Sequence, residues 1–449
     1  MDAAGVGASN GSDTSPWYRV TVAAAAAVAP LVALANDKLR SGIAGRRGLS
    51  QRMAAWGSTR RDRARPLVWF HAPSVGEGLQ AKPVIEGVRA ERPDWQIAYT
   101  FFSPSAASFA RQLAVDYADY LPFDRPRDVR NALDALAPTA LVYGKLDVWP
   151  ELTLAARGRG VRLGLVAATV APYSSRLSWP VRGWAAPAYA ALDRVGAIAP
   201  EDAERLERLG ARRESISVTG DTRYDSVSQR AARLDRSRQP FAALASGGQT
   251  FTIVAGSTWP ADDDVLLPAF ADLQRSDVAA ACRIILVPHE PTSSHLARLD
   301  AVARTADLPR PMRSSESAGV DLARASVVVV DQVGLLADLY ALAQAAYVGG
   351  GYHGAGLHSV LEPAVWGVPI SVGPRWGSSR DAGLLIGRGA ALPLPLAGRE
   401  ALTRQWQLWQ GDPTVRDRAG HAGAALVKEG TGAAERTTAL VRLLVEGAV

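Results

Sequence analysis

Leu67-Val-Trp-Phe70, then His71-Ala-Pro-Ser-Val-Gly-Glu77, then the amphipathic stretch 80–92 closed by Pro93, then Gln96-Ile-Ala-Tyr-Thr-Phe-Phe102 decide the fold class. A four-residue apolar run bounded by a Pro/Ser/Gly turn reads as a buried strand. The following period of three to four reads as a helix, and the second β-rich run as the next strand. The unit is strand–turn–helix–strand, the signature of a parallel sheet with helices on its faces. Working outward, 105–115 reads as a helix opened by Ser103-Pro104-Ser105. The runs 140–143, 162–166 and 195–198 continue the strand series.

The pattern pauses near Asp225. Residues 226–248 are polar and Arg-rich and end in Ala-Ser-Gly-Gly. A second series of strands then begins at 250–255, 282–287, 325–330, 345–348 and 369–372. The expected organisation is a disordered start and N-terminal membrane-associated helix (1–50), a first α/β domain (51–228), a linker (229–248), a second α/β domain (249–425) and a C-terminal helix (426–449). Ligands of such sheets sit beyond the carboxyl ends of the strands, so the site is expected in the cleft between the two domains.

Composition sets outer bounds. The chain has 449 residues, 48% hydrophobic and 21% charged, enough for two or three independent cores. A single cysteine, Cys282, excludes intramolecular disulfides and Cys-rich zinc sites. Fifty Lys and Arg against 44 Asp and Glu give a net charge of +6. So mild an excess suits an anionic membrane surface or a phosphate-bearing substrate at least as well as nucleic acid. No nucleic-acid-binding module is recognisable.

Residues 20–35 form the one long uncharged apolar run, 16 residues rich in Ala and broken by Pro30. A spanning helix needs about 20 mostly apolar residues, so a full span is marginal. Ala33-Leu34-Ala35 mimics a signal-peptidase site, but the positive charge follows the run instead of preceding it: Lys38, Arg40, Arg46, Arg47, Arg52, Arg60, Arg61, Arg63 and Arg65. That asymmetry favours a cytoplasm-facing anchor or interfacial helix on anionic lipid over a signal peptide or a plain buried helix.

Four segments carry chemistry. Glu77 follows a strand and a Ser/Gly turn, where a carboxylate can take a proton from an attacking hydroxyl or merely cap a helix. Lys145-Leu-Asp147-Val-Trp-Pro150 follows another strand. If the chain is extended, Lys145 and Asp147 point the same way, and the Lys can neutralise a phosphate or carboxylate or form a surface ion pair. Gly256-Ser-Thr-Trp259 and Pro288-His-Glu-Pro291 end two strands of the second series, with His289 able to donate to a phosphate. Asp331-Gln-Val-Gly334 opens a helix at 335–343.

The most informative segment is Gly349-Gly-Gly-Tyr-His-Gly-Ala-Gly-Leu-His358-Ser-Val-Leu-Glu362-Pro363. Its glycines allow close backbone approach, and a helix after them would offer its N-terminus to a phosphate. Glu362, four residues past His358, would share a helical face with it and suit ribose hydroxyls. The segment does not match the P-loop pattern, and no H-E-x-x-H or Cys pair supports a catalytic metal.

The ordered set of motifs resembles the 3-deoxy-manno-octulosonic acid (Kdo) transferases that load lipid A. It comprises His71–Glu77, Thr100-Phe-Phe-Ser-Pro-Ser105, Leu121-Pro-Phe-Asp124, Trp149-Pro150, Gly220-Asp-Thr-Arg-Tyr-Asp225, Gly256–Thr258, Pro288-His-Glu290, Asp331-x-x-Gly334 and His358-x-x-x-Glu362. The resemblance runs from about residue 17 to the C-terminus. It implies a GT-B fold, two Rossmann-like domains facing across a central cleft. It implies inverting, metal-independent transfer of Kdo from CMP-Kdo to a lipid A precursor of the lipid IVA type, in lipopolysaccharide core biosynthesis. The setting would be the cytoplasmic face of the inner membrane, with anionic lipids as partners, no cofactor and no nucleic acid.

By the same resemblance Glu77 is the base. Ser74, Gly76, Lys145 and Asp147 meet the acceptor or the Kdo, and Ser257, Thr258, His289, Gly334, His358, Ser359 and Glu362 meet the nucleotide. Many members carry Glu-x-Glu where this chain has Lys145-Leu-Asp147, and one branch carries Lys. An Arg-His-Pro loop of the family becomes His289-Glu-Pro here, an Asn-x-Arg segment aligns with Ala167-Ala-Thr169, and a His-Asn pair becomes His358-Ser359. The alternatives are a GT-B transferase using another nucleotide sugar on a lipid or cell-wall acceptor, and an inactive membrane-bound scaffold of that fold.

Overall fold

The computed structural model describes residues 14–248, 250–276, 281–316, 319–354 and 356–447. The small, polar start at 1–13, expected to be frayed, lies outside the described residues, as does Ala355 of the glycine-rich segment. The chain divides into two compact units, residues 1–226 with 431–449, and residues 227–430.

The first unit holds seven parallel strands: β1 (Leu67–His71), β2 (Gln96–Phe101), β3 (Tyr117–Tyr120), β4 (Ala140–Gly144), β5 (Arg162–Ala168), β6 (Arg194–Ala197) and β7 (Ile216–Val218). Their order is β3-β2-β1-β4-β5-β6-β7. Leu67 pairs with Gln96 and Val68 with Ala140, so β1 is central and buried along its whole length. Each central strand reads as a continuous apolar run because helices cover both faces. One face packs Trp69, Leu141, Leu163 and Tyr189, the other Phe70, Tyr99, Val142 and Val84.

The second unit repeats the plan with β8 (Phe251–Thr258), β9 (Cys282–Pro288), β10 (Met312–Arg313), β11 (Val327–Val329), β12 (Ala345–Val348), β13 (Ile370–Val372) and β14 (Ala391–Pro393). The order is β10-β11-β9-β8-β12-β13-β14, again parallel throughout. Its core centres on Ile253, Phe270, Leu286, Tyr347 and Trp406.

Residues 229–248, read as a linker, carry the end of the helix Thr222–Ala232 and the short helix Phe241–Ala245. Leu244 is buried, and its carbonyl accepts from Arg283 Nη1 at 3.0 Å. The final helix, Ala433–Glu446, returns to the first unit and packs Leu440, Val441 and Leu444 against the core under β1 and β4. Asp225 secures that return. Its two carboxylate oxygens accept from Gly432 N (2.7 Å) and Ala434 N (2.9 Å), capping the helix. Arg436 Nε donates to Thr219 O, and Thr222 Oγ1 donates to Gln80 O. The Gly220–Asp225 motif therefore works as a staple inside the first unit.

The helix Pro16–Val32 is held at its first turn. Tyr18 Oη donates to Asp124 Oδ2 at 2.8 Å and Arg19 Nε to Glu151 at 2.7 Å. Asp124, pushed up to about 6 by burial, also accepts from Glu151 N and Leu152 N, capping the helix that Pro150 starts. Beyond that turn Val20, Val28, Leu31 and Val32 are exposed. No single described helix is long and apolar enough to cross a membrane. The Pro16–Val32 and Asp37–Thr59 pair, bent by 118°, passes by length and composition only.

Much of the basic cluster is used inside the protein. The Arg46 guanidinium lies over Phe102, at 4.2 Å from its centroid, and donates to Leu121 O and Phe102 O. Burial lowers its pKa to about 10. Arg52 pairs with Asp119, Arg61 donates to Leu136 O and Ala137 O, and Arg65 to Asp94 O.

Candidate functional site

In the first unit the chain leaves β1 through Ala72-Pro73 and enters the helix Val75–Glu91 with Ser74 as its N-cap residue. Glu77 lies in the first helical turn. The Ser74 hydroxyl donates to its Oε2, and Lys145 Nζ, arriving from the end of β4, donates to Oε1 at 3.2 Å. Partial burial works against its ionisation, but the Ser74 hydroxyl and the Lys145 charge outweigh it and hold the carboxyl below the usual range. Ionised at neutral pH and partly open to solvent, Glu77 is a proton acceptor with two fixed neighbours. Gly76 beside it is exposed.

The 145–150 segment differs from expectation. It is a turn, not an extended strand, and Lys145 sits in the left-handed region at φ +62°. The two side chains therefore part. Lys145 goes to Glu77. Asp147 goes to the fully buried His71, with Nε2 at 2.9 Å from Oδ2, and also accepts from Trp149 Nε1 at 2.9 Å. Burial opposes ionisation of Asp147, yet His71, Trp149 and Arg176 together lower its pKa. Asp147 is thus part of the frame that sets the β1 and β4 turns. Phe102 stacks on Trp149 at 5.4 Å, which brings the 100–105 motif into the same frame.

In the second unit β8 ends in Ser257-Thr258, and Ser257 has φ +53°. Among the described residues five non-glycines have positive φ. Three of them, Lys145, Ala167 and Ser257, sit at the ends of strands where a parallel sheet binds ligands. Thr258 is buried, and the helix Pro260–Gln274 follows. Its Asp262, fully buried, accepts from Trp259 N and Gly350 N, both at 2.9 Å, and from Tyr347 Oη at 2.7 Å. One carboxylate thus ties the β8 turn to the glycine-rich turn after β12. A Cβ on Gly349 would stand 2.1 Å from Ser257 O, so only glycine allows these two backbones to touch.

Trp259, His289, His353 and His358 form one ring cluster. Trp259 stacks on His353 at 4.1 Å and 7°, and on His289 at 4.9 Å and 29°. His289 meets His358 at 4.4 Å, and Trp259 Nε1 donates to His358 Nε2 at 3.3 Å. Burial, then the charge of His289, lowers the pKa of His358.

The helical pairing of His358 with Glu362 does not form. Residues 356–359 are irregular, and the helix is the single turn Leu361–Ala364, with Pro363 inside its first turn. Burial raises the pKa of Glu362 despite the nearby Arg230. Arg230 donates to Gly334 O at 2.9 Å and pairs with Asp338, and Gly334 takes φ +87°. The helix expected over 335–343 is Leu336–Leu339 followed by a 3-10 turn. Ser359 is exposed. In the second unit, contacts link Ser257, Thr258, His289 and His358 around the β8 and glycine-rich turns, and Arg230 links Gly334 with Glu362.

Sequence reading missed Trp259, His353, Asp262 and Arg230 as members of this region. Trp259 and His353 stood inside quoted motifs, and Asp262 falls three residues after Trp259, where a first-turn carboxylate reaches back to free N–H groups. Arg230 carried no signal in a segment read as linker. Among the described residues no group of three or more His, Cys, Asp or Glu is placed to hold a metal ion.

Comparison with known proteins bears on the family and the fold. Residues 47–226 match the family model described as 3-deoxy-D-manno-octulosonic-acid transferase (kdotransferase). The 3-deoxy-D-manno-octulosonic acid transferase of Bordetella pertussis is 31% identical over 384 residues, covering 82% of this chain and 85% of that protein. The protein of the same name from Haemophilus influenzae is 22% identical over 84% and 87% of the two chains. Among solved structures, UDP-GlcNAc 2-epimerase from Neisseria meningitidis matches with a TM-score of 0.60 at 12% identity, over 85% of this chain and all of that one. A glycosyltransferase from Rickettsia africae matches with a TM-score of 0.56 at 10% identity, over 86% and 100%. These two show the shared GT-B fold of paired Rossmann-like units. With the motifs in their order, the fold and the Bordetella relative together, the chain belongs to the 3-deoxy-D-manno-octulosonic acid transferase family, the glycosyltransferases that transfer Kdo in lipopolysaccharide biosynthesis.

Proposed function

We propose that the chain transfers Kdo from CMP-Kdo to a sugar hydroxyl of a lipid A precursor of the lipid IVA type, by direct displacement with inversion. Glu77 takes the proton of the acceptor hydroxyl as its oxygen attacks the anomeric carbon, and CMP departs with the bonding pair. The observation that carries this reading is the ionised Glu77 at the end of β1, fixed between Ser74 and Lys145 in a chain of this family. Lys145 exchanges its bond to Glu77 for the Kdo carboxylate when the donor binds. That exchange releases Glu77 at the moment a base is needed. Gly76 leaves the approach to Glu77 open, and Asp147 acts through His71 as a positioning residue.

On the second unit, Ser257, Thr258, His289 and His358 receive the phosphate and cytidine, and the Gly334, Ser359 and Glu362 side takes the ribose. The Ser257 hydroxyl and the exposed His289 ring are the donors for the departing phosphate. The reading places the protein at the cytoplasmic face of the inner membrane. The exposed apolar side of the helix Pro16–Val32, with Lys38, Arg40 and Arg47 exposed just beyond it, supports contact with anionic lipid.

The test is to incubate the full chain with CMP-Kdo and a tetra-acylated lipid A precursor and weigh the product. An added Kdo mass supports the reading and counts the sugars transferred. Unchanged precursor, with transfer seen only from a UDP- or GDP-sugar, would replace the donor.

A further inference from the structure

The helix Pro16–Val32 has no buried residue, yet its first turn reaches two buried carboxylates of the first unit. Tyr18 Oη donates to Asp124 Oδ2 at 2.8 Å. Arg19 holds Glu151 with two nitrogens, Nε at 2.7 Å and Nη2 at 3.1 Å. Both carboxylates stand at the start of the helix Pro150–Arg157. Asp124 accepts from Glu151 N at 2.9 Å and Leu152 N at 2.8 Å, and Glu151 lies in the first turn of that helix. A buried carboxylate is costly unless it is paired and hydrogen-bonded, and these two also repel each other. The start of the helix Pro150–Arg157 therefore depends on Tyr18 and Arg19 for its geometry.

Just before that start lies the turn that carries Lys145. At φ +62° Lys145 has a conformation that a non-glycine keeps only where its surroundings impose it. On one side the sheet imposes it, with Lys145 N donating to Val166 O at 2.8 Å. On the other side the turn runs into Trp149. The Trp149 indole N–H donates to Asp147, and the Trp149 carbonyl accepts from Thr153 Oγ1 of the helix Pro150–Arg157 at 2.6 Å. The second brace of the strained lysine is thus this helix, and Tyr18 and Arg19 secure it. A helix needed only to reach lipid requires no tie to the segment beside Glu77.

We infer that Tyr18 and Arg19 are positioning residues for the Lys145–Glu77 pair: the first turn of the helix Pro16–Val32 braces the 145–150 turn, and this helix serves transfer as well as lipid contact. The inference rests on the reading of Glu77 as the base and deepens it. Without the brace Lys145 relaxes from its left-handed conformation and its ammonium leaves Glu77 Oε1. The base then loses a fixed neighbour and the charge that favours its ionised form. The groups that face Glu77 are the Ser74 hydroxyl of its own turn, Lys145 from the end of β4, and the Tyr99 phenol from β2, whose proton is held by burial and by Glu77 itself. Of these only Lys145 depends on the brace.

The test follows Kdo transfer by the full chain, from CMP-Kdo to a tetra-acylated lipid A precursor, over the acid side of the pH profile. Y18F/R19M should lower kcat about 5–50-fold, move the acid limb of kcat/KM to higher pH and leave CMP affinity unchanged in calorimetric titration. R19K, which keeps the cation, should recover part of the rate. K145M alone should move the limb the same way. Adding it to Y18F/R19M should give little beyond K145M alone, because both act through one group. Where the double variant does not fold, Y18F, which keeps the ring and loses one donor, makes the same comparison. An unmoved limb, or a loss in Y18F/R19M that multiplies fully with that of K145M, would overturn the bracing. A shift arising from Asp124 alone would show in that second way, since it persists without Lys145. Absence of transfer in the wild type would overturn the transfer reading instead.

Discussion

The first strand–helix turns of the two sheets are topological equals built from opposite materials. After β1, flanked by β2 and β4, the turn is built of polar side chains in pairs, Glu77 with Lys145 and Asp147 with buried His71. After β8, flanked by β9 and β12, it is glycine, strained serine and stacked rings, with one buried carboxylate spent on backbone. Ion pairs hold a base ionised and oriented. Glycine turns bring backbones into contact, and the rings present flat faces suited to a base. On the reading proposed above, the two turns divide the labour of a transferase, proton removal in one unit and leaving-group binding in the other.

Four substitutions would break or sharpen this contrast. The largest effect is expected on stability, from D147A. It leaves Nε2 of the buried His71 ring without its partner and should cost the first unit about 2–4 kcal/mol in denaturant unfolding, while CMP binding by the second unit persists. G349A attacks the other turn. Its Cβ must displace Ser257 O, a strain of about 1–3 kcal/mol that should appear as a roughly 10–100-fold loss of CMP affinity in titration. D225A removes the cap of the last helix and should lower stability by about 1–2 kcal/mol, with CMP affinity retained.

The smallest and most pointed effect is on pH. Lys145 favours the ionised form of Glu77, so its removal raises the Glu77 pKa. In K145M the acid limb of kcat/KM should move to higher pH, activity being lost earlier as pH falls. An unmoved limb would separate Lys145 from the base.

The central strands of both sheets were legible in the sequence because burial on two faces writes them as unbroken apolar runs. The four that escaped reading are β3, β7, β10 and β14, which are the edges of the two sheets. They are two to four residues long and partly exposed, so neither an apolar run nor a clear alternation marks them. The site shows the same division. Glu77 and the glycine-rich turn announce themselves by local pattern. The partner of Asp147 does not, because His71 comes from a strand 76 residues away, and a left-handed lysine turns the segment from its extended course. The basic cluster was read by charge alone. Arg46, Arg52, Arg61 and Arg65 instead hold the preceding helices and loops to carbonyls and carboxylates of the first unit, contacts that only the tertiary structure supplies.

The most direct test of the divided labour is a paired measurement on one preparation of E77Q, with Kdo transfer rate and CMP affinity determined side by side against the wild type. The account predicts transfer reduced by ~10²–10⁴-fold with CMP affinity unchanged, since the amide keeps the shape of the turn but takes no proton. Undiminished transfer, or a loss of transfer matched by an equal loss of CMP affinity, would contradict it.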